Sequence, residues 1–224
     1  MHQIIFINGY SGIGKTTLAK KLHEHFKGVY IEQYMIPDFI TKDGKNEVNG
    51  KEEDETLYRL MVANIKEFAK LNYKNIIALD FNEIRFRDIP VDFKGYDYLI
   101  LHLVCKNKEQ NINQMKNREN GLIDIQMLEK DYIRQEKYPR QLLPNEIVID
   151  ITNKTKEQVF KMALDKINNT KSMLDYEYIM PDKKSFGTWV KAEQIDWYNI
   201  TFIFFLLKKT CLKSKFFCLI FIFI

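Results

Sequence analysis

One octapeptide constrains this chain more than any other stretch: Gly9-Tyr10-Ser11-Gly12-Ile13-Gly14-Lys15-Thr16, which fits the pattern G-x-x-x-x-G-K-[ST] without a gap. An apolar run, Ile4-Ile5-Phe6-Ile7, precedes it, and Leu18, Leu22 and Phe26 follow at helical spacing. The motif is thus bracketed by a strand and a helix. A tight turn in that setting directs successive backbone N–H groups around anionic oxygens, and Gly9 and Gly14 supply conformations that a Cβ would obstruct. The helix behind adds the amides that precede its hydrogen-bond ladder and the positive end of its dipole. Lys15 would reach the β- and γ-phosphates of a nucleoside triphosphate, and the Thr16 hydroxyl would ligate Mg²⁺. Tyr10, Ser11, Gly12, Ile13 and the adjoining Thr17 complete the expected cradle. With glycine at about 7% of average usage, a chance match in a chain of this length is on the order of one in a hundred.

Beyond the motif, strands and helices alternate. Residues 3–8 read as a buried strand and 15–26 as a helix. Residues 29–33 read as a second strand and 37–53, with Pro37, Gly44 and Gly50, as a loop. An amphipathic helix is expected over 54–71, with Leu57, Leu60, Met61, Ile65 and Phe68 on one face. Further strands are expected at 75–81, 98–105 and 146–151, with helices at 108–118 and 155–167. Five strands separated mostly by helices predict an α/β fold, a parallel sheet covered on both faces.

The length of 224 residues suits one such domain with a short appendage, and 46% apolar with 29% charged residues excludes wholesale disorder. Three cysteines do not make a disulfide framework. Only Cys105 lies outside the tail, which fits a reducing, cytoplasmic setting. The opening residues carry no basic stretch before the apolar run, so they read as a strand rather than a secretory signal. The net charge of +4 comes from 34 Lys+Arg against 30 Asp+Glu, and Lys208, Lys209, Lys213 and Lys215 account for the excess. Residues 1–198 are therefore formally neutral, which argues against a strong nucleic-acid surface. The tail, 199–224, has two apolar runs broken by those lysines. Each is shorter than the roughly 20 residues a spanning helix needs, so a membrane anchor is disfavoured.

These residues resemble the P-loop kinases, small phosphotransferases that include shikimate, gluconate, nucleotide and polynucleotide kinases. The resemblance covers roughly residues 1–170 in element order and is specific at 9–16. It implies a three-layer fold with a five-stranded parallel sheet, Mg·ATP as phosphate donor, a small-molecule or nucleotide acceptor, and an arginine-bearing lid at about 107–140. The 171–198 extension and the tail lie outside it.

Several residues take roles from that resemblance. Glu32 ends the second strand where such kinases often have an acid near the acceptor hydroxyl; it equally reads as a solvated acid, with Asp38 as the alternative. Asp80 follows four apolar residues, Ile76-Ile77-Ala78-Leu79, and would help hold Mg²⁺, although turn chemistry alone also favours Asp there. The next residues are Phe81-Asn82, where polynucleotide-kinase-like proteins show a threonine, so the substrate class is left open. Arg85 or Arg87 would grip an anionic acceptor or lie on the surface. Arg118 is the leading lid arginine, with Lys116, Arg134 and Arg140 behind it. The turn at 151–154, with Asn153, sits where this family often contacts adenine. Asn153-Lys154-Thr155-Lys156 is similar to the Asn-Lys-x-Asp guanine signature of GTPases except at its fourth position, which disfavours GTP.

His102 reads as a hydrogen-bonded core histidine, His23 and His25 as residues on the exposed side of their helix, and nothing supports a zinc site. The leading expectation is an ATP-dependent kinase. A hydrolysis-only regulatory NTPase and a nucleic-acid 5′-end kinase are the alternatives.

Overall fold

Residues 2–10, 12–32, 35, 44, 50–79, 86–117 and 141–179 are described by a computed structural model. The elements, in chain order, are β1 (Ile4–Gly9), α1 (Lys15–Phe26), β2 (Val29–Glu32), α2 (Gly50–Lys70), β3 (Ile76–Leu79), α3 (Ile89–Asp92), β4 (Tyr98–Val104), α4 (Lys108–Lys116), β5 (Glu146–Asp150) and α5 (Lys156–Asn169). The strands form one all-parallel sheet in the order β2-β3-β1-β4-β5.

Alternation along the strands divides the core into two layers. Ile4, Phe6, Ile31, Ile76, Ala78, Tyr98 and Ile100 face α2 and α3, where Leu57, Met61, Ile65, Ile89 and Phe93 meet them. Ile5, Ile7, Ile77, Leu79, Leu99, Leu101 and Leu103 face α1 and α5, meeting Leu18, Leu22, Ala163 and Ile167. Both faces are covered, so strands such as Ile4-Ile5-Phe6-Ile7 are apolar throughout rather than alternating. Each fully buried aliphatic side chain contributes about 1.5–3 kcal/mol.

The expected helix over 54–71 in fact begins at Gly50, so the last four residues of the expected 37–53 loop are helical. Glu52 and Glu53 in its first turn favour an early start by complementing the dipole. Leu60, expected on the buried face, is 41% exposed, while Val62 and Ala69 are buried in its stead. The contact stripe follows 58, 61, 62, 65 and 69, which turns residue 60 outward. His25 is exposed as expected, but His23 is half-buried and its Nε2 lies 3.1 Å from Gly28 O. The expected strand at 75–81 begins one residue later, because Asn75 is left-handed at φ 56°. Helix α3, with Pro90 in its first turn, was not anticipated.

Residues 171–179 cross the N-terminal ends of the strands, opposite the glycine-rich loop. Asn145 exchanges two hydrogen bonds with the Met173 backbone, and Gly95 N donates to Leu174 O at 3.0 Å. Ser172 Oγ donates to Asp97 Oδ1 at 2.5 Å, and Tyr176 OH donates to Pro90 O at 2.6 Å. On the other side of Asp97, His2 Nδ1 is 2.8 Å from the same carboxylate oxygen.

Candidate active site

Parallel strands send all their C-terminal ends to one edge. Gly9 ends β1 there, Glu32 ends β2, and the turns after β4 and β5 leave from the same edge. The chain runs from central β1 out to β2, back to β3, and then across to β4 and β5. Loops diverging at such a reversal leave a crevice, and the glycine-rich loop lies at its centre.

The loop departs from the sheet at Gly9 and closes on itself through Ile13 N donating to Tyr10 O at 3.3 Å. Ile13 is 2% exposed and anchors it in the α1-side core. Gly14, at φ 98°, precedes α1, whose first intrahelical bond runs from Leu18 N to Gly14 O at 3.0 Å. The amides of Lys15, Thr16 and Thr17 therefore precede the helix ladder. Lys15 Nζ arches back and donates to Gly9 O at 2.9 Å and Tyr10 O at 3.0 Å. Its ammonium thus lies over the loop it would share with an anion.

Thr16 begins the link to β2. Its Oγ1 donates to Glu32 Oε1 at 3.3 Å, and Tyr30 OH donates to Glu32 Oε2 at 2.8 Å. Tyr30 and Glu32 are two residues apart on one strand and so share a face. The His23 ring packs edge-on against Tyr30 at 5.9 Å, tying this pair back to α1. The sequence reading missed Tyr30; its alternation with Glu32 was the available signal.

The other side of the loop rests on α4. A Cβ on Gly12, at φ 77°, would collide with Met115 Cγ, and Met115 is 1% exposed. The same helix reaches the turn after β5. Asn107 caps α4 by accepting from Gln110 N at 3.1 Å, and its Nδ2 donates to Asn153 Oδ1 at 3.3 Å. Gln110 Nε2 donates to Ile151 O at 3.2 Å, while its Oε1 accepts from Asn153 N at 2.7 Å. Lys106 N donates to Thr152 Oγ1 at 2.8 Å, and Lys106 Nζ pairs with Asp150 at 3.2 Å. Hydrogen bonds from Thr152, aided by Lys106, hold the Asp150 carboxyl below its usual range. Asn153 itself is left-handed at φ 54° and exposed.

Lys15, Thr16 and Glu32 are therefore brought together, and Asn153 lies across the edge beyond α4. Ser11, Asp38, Asp80, Arg85, Arg118, Arg134, Arg140 and the 199–224 tail lie outside the described residues, as does most of the expected lid. Lys116 is exposed at the end of α4. Arg87 is not on the surface: its side chain is 16% exposed and its Nε is 3.8 Å from Asp88. His102 is half-buried rather than a core residue, with Nδ1 3.4 Å from Asn8 Nδ2 and 3.6 Å from Glu146 Oε1. Among the described residues, no group of three or more His, Cys, Asp or Glu could hold a metal ion. Mg²⁺ needs no such cage, since it takes one or two protein oxygens with water and substrate phosphates. The Thr16 hydroxyl beside a carboxylate fits that requirement. No helix among the described residues is long and apolar enough to cross a membrane.

No family model matches the chain. A Pyrococcus furiosus protein named "Putative adenylate kinase" is 29% identical over 168 residues, covering 74% of this chain and 84% of that protein. Among solved structures, a gluconokinase from Sinorhizobium meliloti superposes with a TM-score of 0.54 at 12% identity, covering 73% of this chain and 90% of its own. A sugar kinase from Janibacter gives 0.54 at 21% identity, with 75% and 95% covered. A shikimate kinase from Bacteroides thetaiotaomicron gives 0.51 at 16%, with 75% and 99% covered. The glycine-rich loop at the head of central β1, the all-parallel sheet and these likenesses agree: the chain has the P-loop kinase fold.

Proposed function

We propose that the protein is an ATP-dependent phosphotransferase that moves the γ-phosphoryl group of Mg·ATP to a small acceptor. The observation that carries this reading is the 3.3 Å approach of Glu32 to Thr16, which sets a carboxylate beside the phosphate cradle. A carboxylate at that point can accept the proton of an attacking hydroxyl.

In this reading the amides of residues 9–17 and the α1 dipole hold the β- and γ-phosphates. Lys15 exchanges its bonds to Gly9 O and Tyr10 O for phosphate oxygens. Thr16, with Asp80, would hold Mg²⁺, which when bound neutralises charge on the phosphates. Glu32 accepts the proton of an acceptor hydroxyl as the new P–O bond forms and the bond to the bridging β–γ oxygen breaks, releasing ADP. Arg118 is assigned the charge that builds up during transfer. The 151–154 turn with Asn153 borders the base, and Lys156 in place of an acid favours ATP over GTP.

A hydroxyl acceptor gives Glu32 the most to do. A nucleoside monophosphate is the second reading, supported by the Pyrococcus furiosus relative and its name. A phosphate acceptor is already largely ionised near pH 7 and needs no base; Glu32 would then only orient groups around the cradle. Incubation with labelled ATP and separate pools of nucleosides, nucleoside monophosphates, sugars, hydroxy acids and oligonucleotides tests the proposal. Transfer to one pool is expected. Hydrolysis at a rate that no acceptor changes would favour a regulatory NTPase instead.

A further inference from the structure

We infer that Gln110 is a positioning residue for the nucleotide base, acting through the 151–154 turn. The inference rests on the reading above that this turn borders the base.

Gln110 is the third residue of α4, and its side chain leaves its own helix to bridge two points of the turn after β5. It donates to Ile151 O at 3.2 Å and accepts from Asn153 N at 2.7 Å. The second capped helix shows how unusual that is. At Thr155 and Gln158 the glutamine has the same spacing from its cap. There Gln158 Oε1 accepts from Thr155 N at 2.8 Å, while Gln158 N donates to Thr155 Oγ1 at 3.2 Å. That is a closed capping box, in which the glutamine serves its own helix. At α4 only half of the box forms, from Gln110 N to Asn107 Oδ1, and the Gln110 amide is committed elsewhere.

The turn it grips needs an external hold. Asn153 is left-handed, a conformation that asparagine reaches more readily than other residues with a Cβ but that still costs free energy, which contacts around it offset. Gln110 and Asn107 contact that residue from α4, and the backbone and hydroxyl of Thr152 are tied to Asp150 and Lys106. Five residues further along the same helix, Met115 fills the space against Gly12 in the phosphate loop. One helix therefore touches the phosphate cradle at one end and the base turn at the other. A loosened turn would cost base recognition without disturbing phosphate binding.

The test compares Mg·ATP with Mg·tripolyphosphate, which lacks the nucleoside, by calorimetry on the full chain and on Gln110→Ala and Gln110→Glu. Gln110→Glu keeps the acceptor for Asn153 N and loses the donor to Ile151 O. For Gln110→Ala, ATP is expected to bind about tenfold more weakly while tripolyphosphate binds as before, with Gln110→Glu in between. In turnover, the KM for ATP should rise with kcat little changed. Equal weakening of both ligands, or no change in either, would overturn the inference. A native protein that binds ATP no better than tripolyphosphate would also overturn it, leaving the phosphate cradle intact. A native protein that binds neither would remove the kinase reading and this inference together.

Discussion

Thr16 Oγ1 lies 3.3 Å from one oxygen of Glu32, and Tyr30 OH holds the other at 2.8 Å. The carboxylate is thus fixed at both ends, by a cradle residue and by its own strand. If it accepts a hydroxyl proton, Glu32→Gln keeps the shape and removes the base. The expected loss in kcat is about 10²–10⁴-fold with a hydroxyl acceptor. ATP affinity should change little. Tyr30→Phe leaves the base in place but unsteadied, so its loss should be smaller, within about tenfold. Steady-state kinetics and ATP titration separate these outcomes. A Glu32→Gln variant that loses ATP binding as steeply as turnover would mean that Glu32 serves the cradle instead.

Lys15 donates to two carbonyls of its own loop, Gly9 O and Tyr10 O. Those bonds lie within the loop, so Lys15→Ala removes the charge without opening the core. Transfer should fall by about 10²–10³-fold or more, with a melting temperature close to that of the native protein. Full activity in this variant would mean that the loop is not the catalytic site.

The sheet and cradle could be read from the sequence because each rests on local signals. Ile4–Ile7 and the glycines define strand and turn within one stretch of chain, and Lys15–Phe26 matches its helix to the residue. The role of α4 was hidden for a physical reason. A glutamine on a polar helix has the same pattern whether it is solvated or spans a gap, and Gln110 meets Ile151 only after β4 and β5 have paired. Met115 was equally silent, since its partner Gly12 has no side chain to leave a periodic trace. Glu32 was legible as an acid at a strand end, whereas its alignment by Thr16 and Tyr30 depends on how α1 lies against β2.

Gly12 and Met115 form a contact with no slack. In Gly12→Ala the new Cβ meets Met115 Cγ, and the backbone at φ 77° is strained for alanine as well. Together these should destabilise the protein by about 1–3 kcal/mol and weaken ATP binding. Adding Met115→Ala relieves only the collision. The double variant should therefore bind ATP better than Gly12→Ala alone, while Met115→Ala by itself leaves a cavity. Purely additive losses across this cycle, measured by denaturant unfolding and ATP titration, would mean that the loop and α4 are independent.

Asp97 connects the chain's second residue to the segment that follows α5. Burial pushes its carboxyl up, but hydrogen bonds from Ser172 and His2, with the nearby positive charges, outweigh that and hold it below the ordinary 3.8. A carboxylate depressed in the folded state adds stability that is complete above its unfolded value. That stability is lost as pH falls through the folded one. Urea unfolding should therefore show stability level above about pH 5 and falling below about pH 4. Asp97→Asn should lower stability at pH 7 by only about 1 kcal/mol, because the carboxyl is partly solvated, and should flatten the acid limb. Ser172→Ala removes one of the two hydrogen bonds and should shift the limb the same way by less. If Asp97→Asn fell as steeply in acid as the native protein, the acid sensitivity would belong to other carboxylates. The junction between His2 and Ser172 would then contribute nothing through charge.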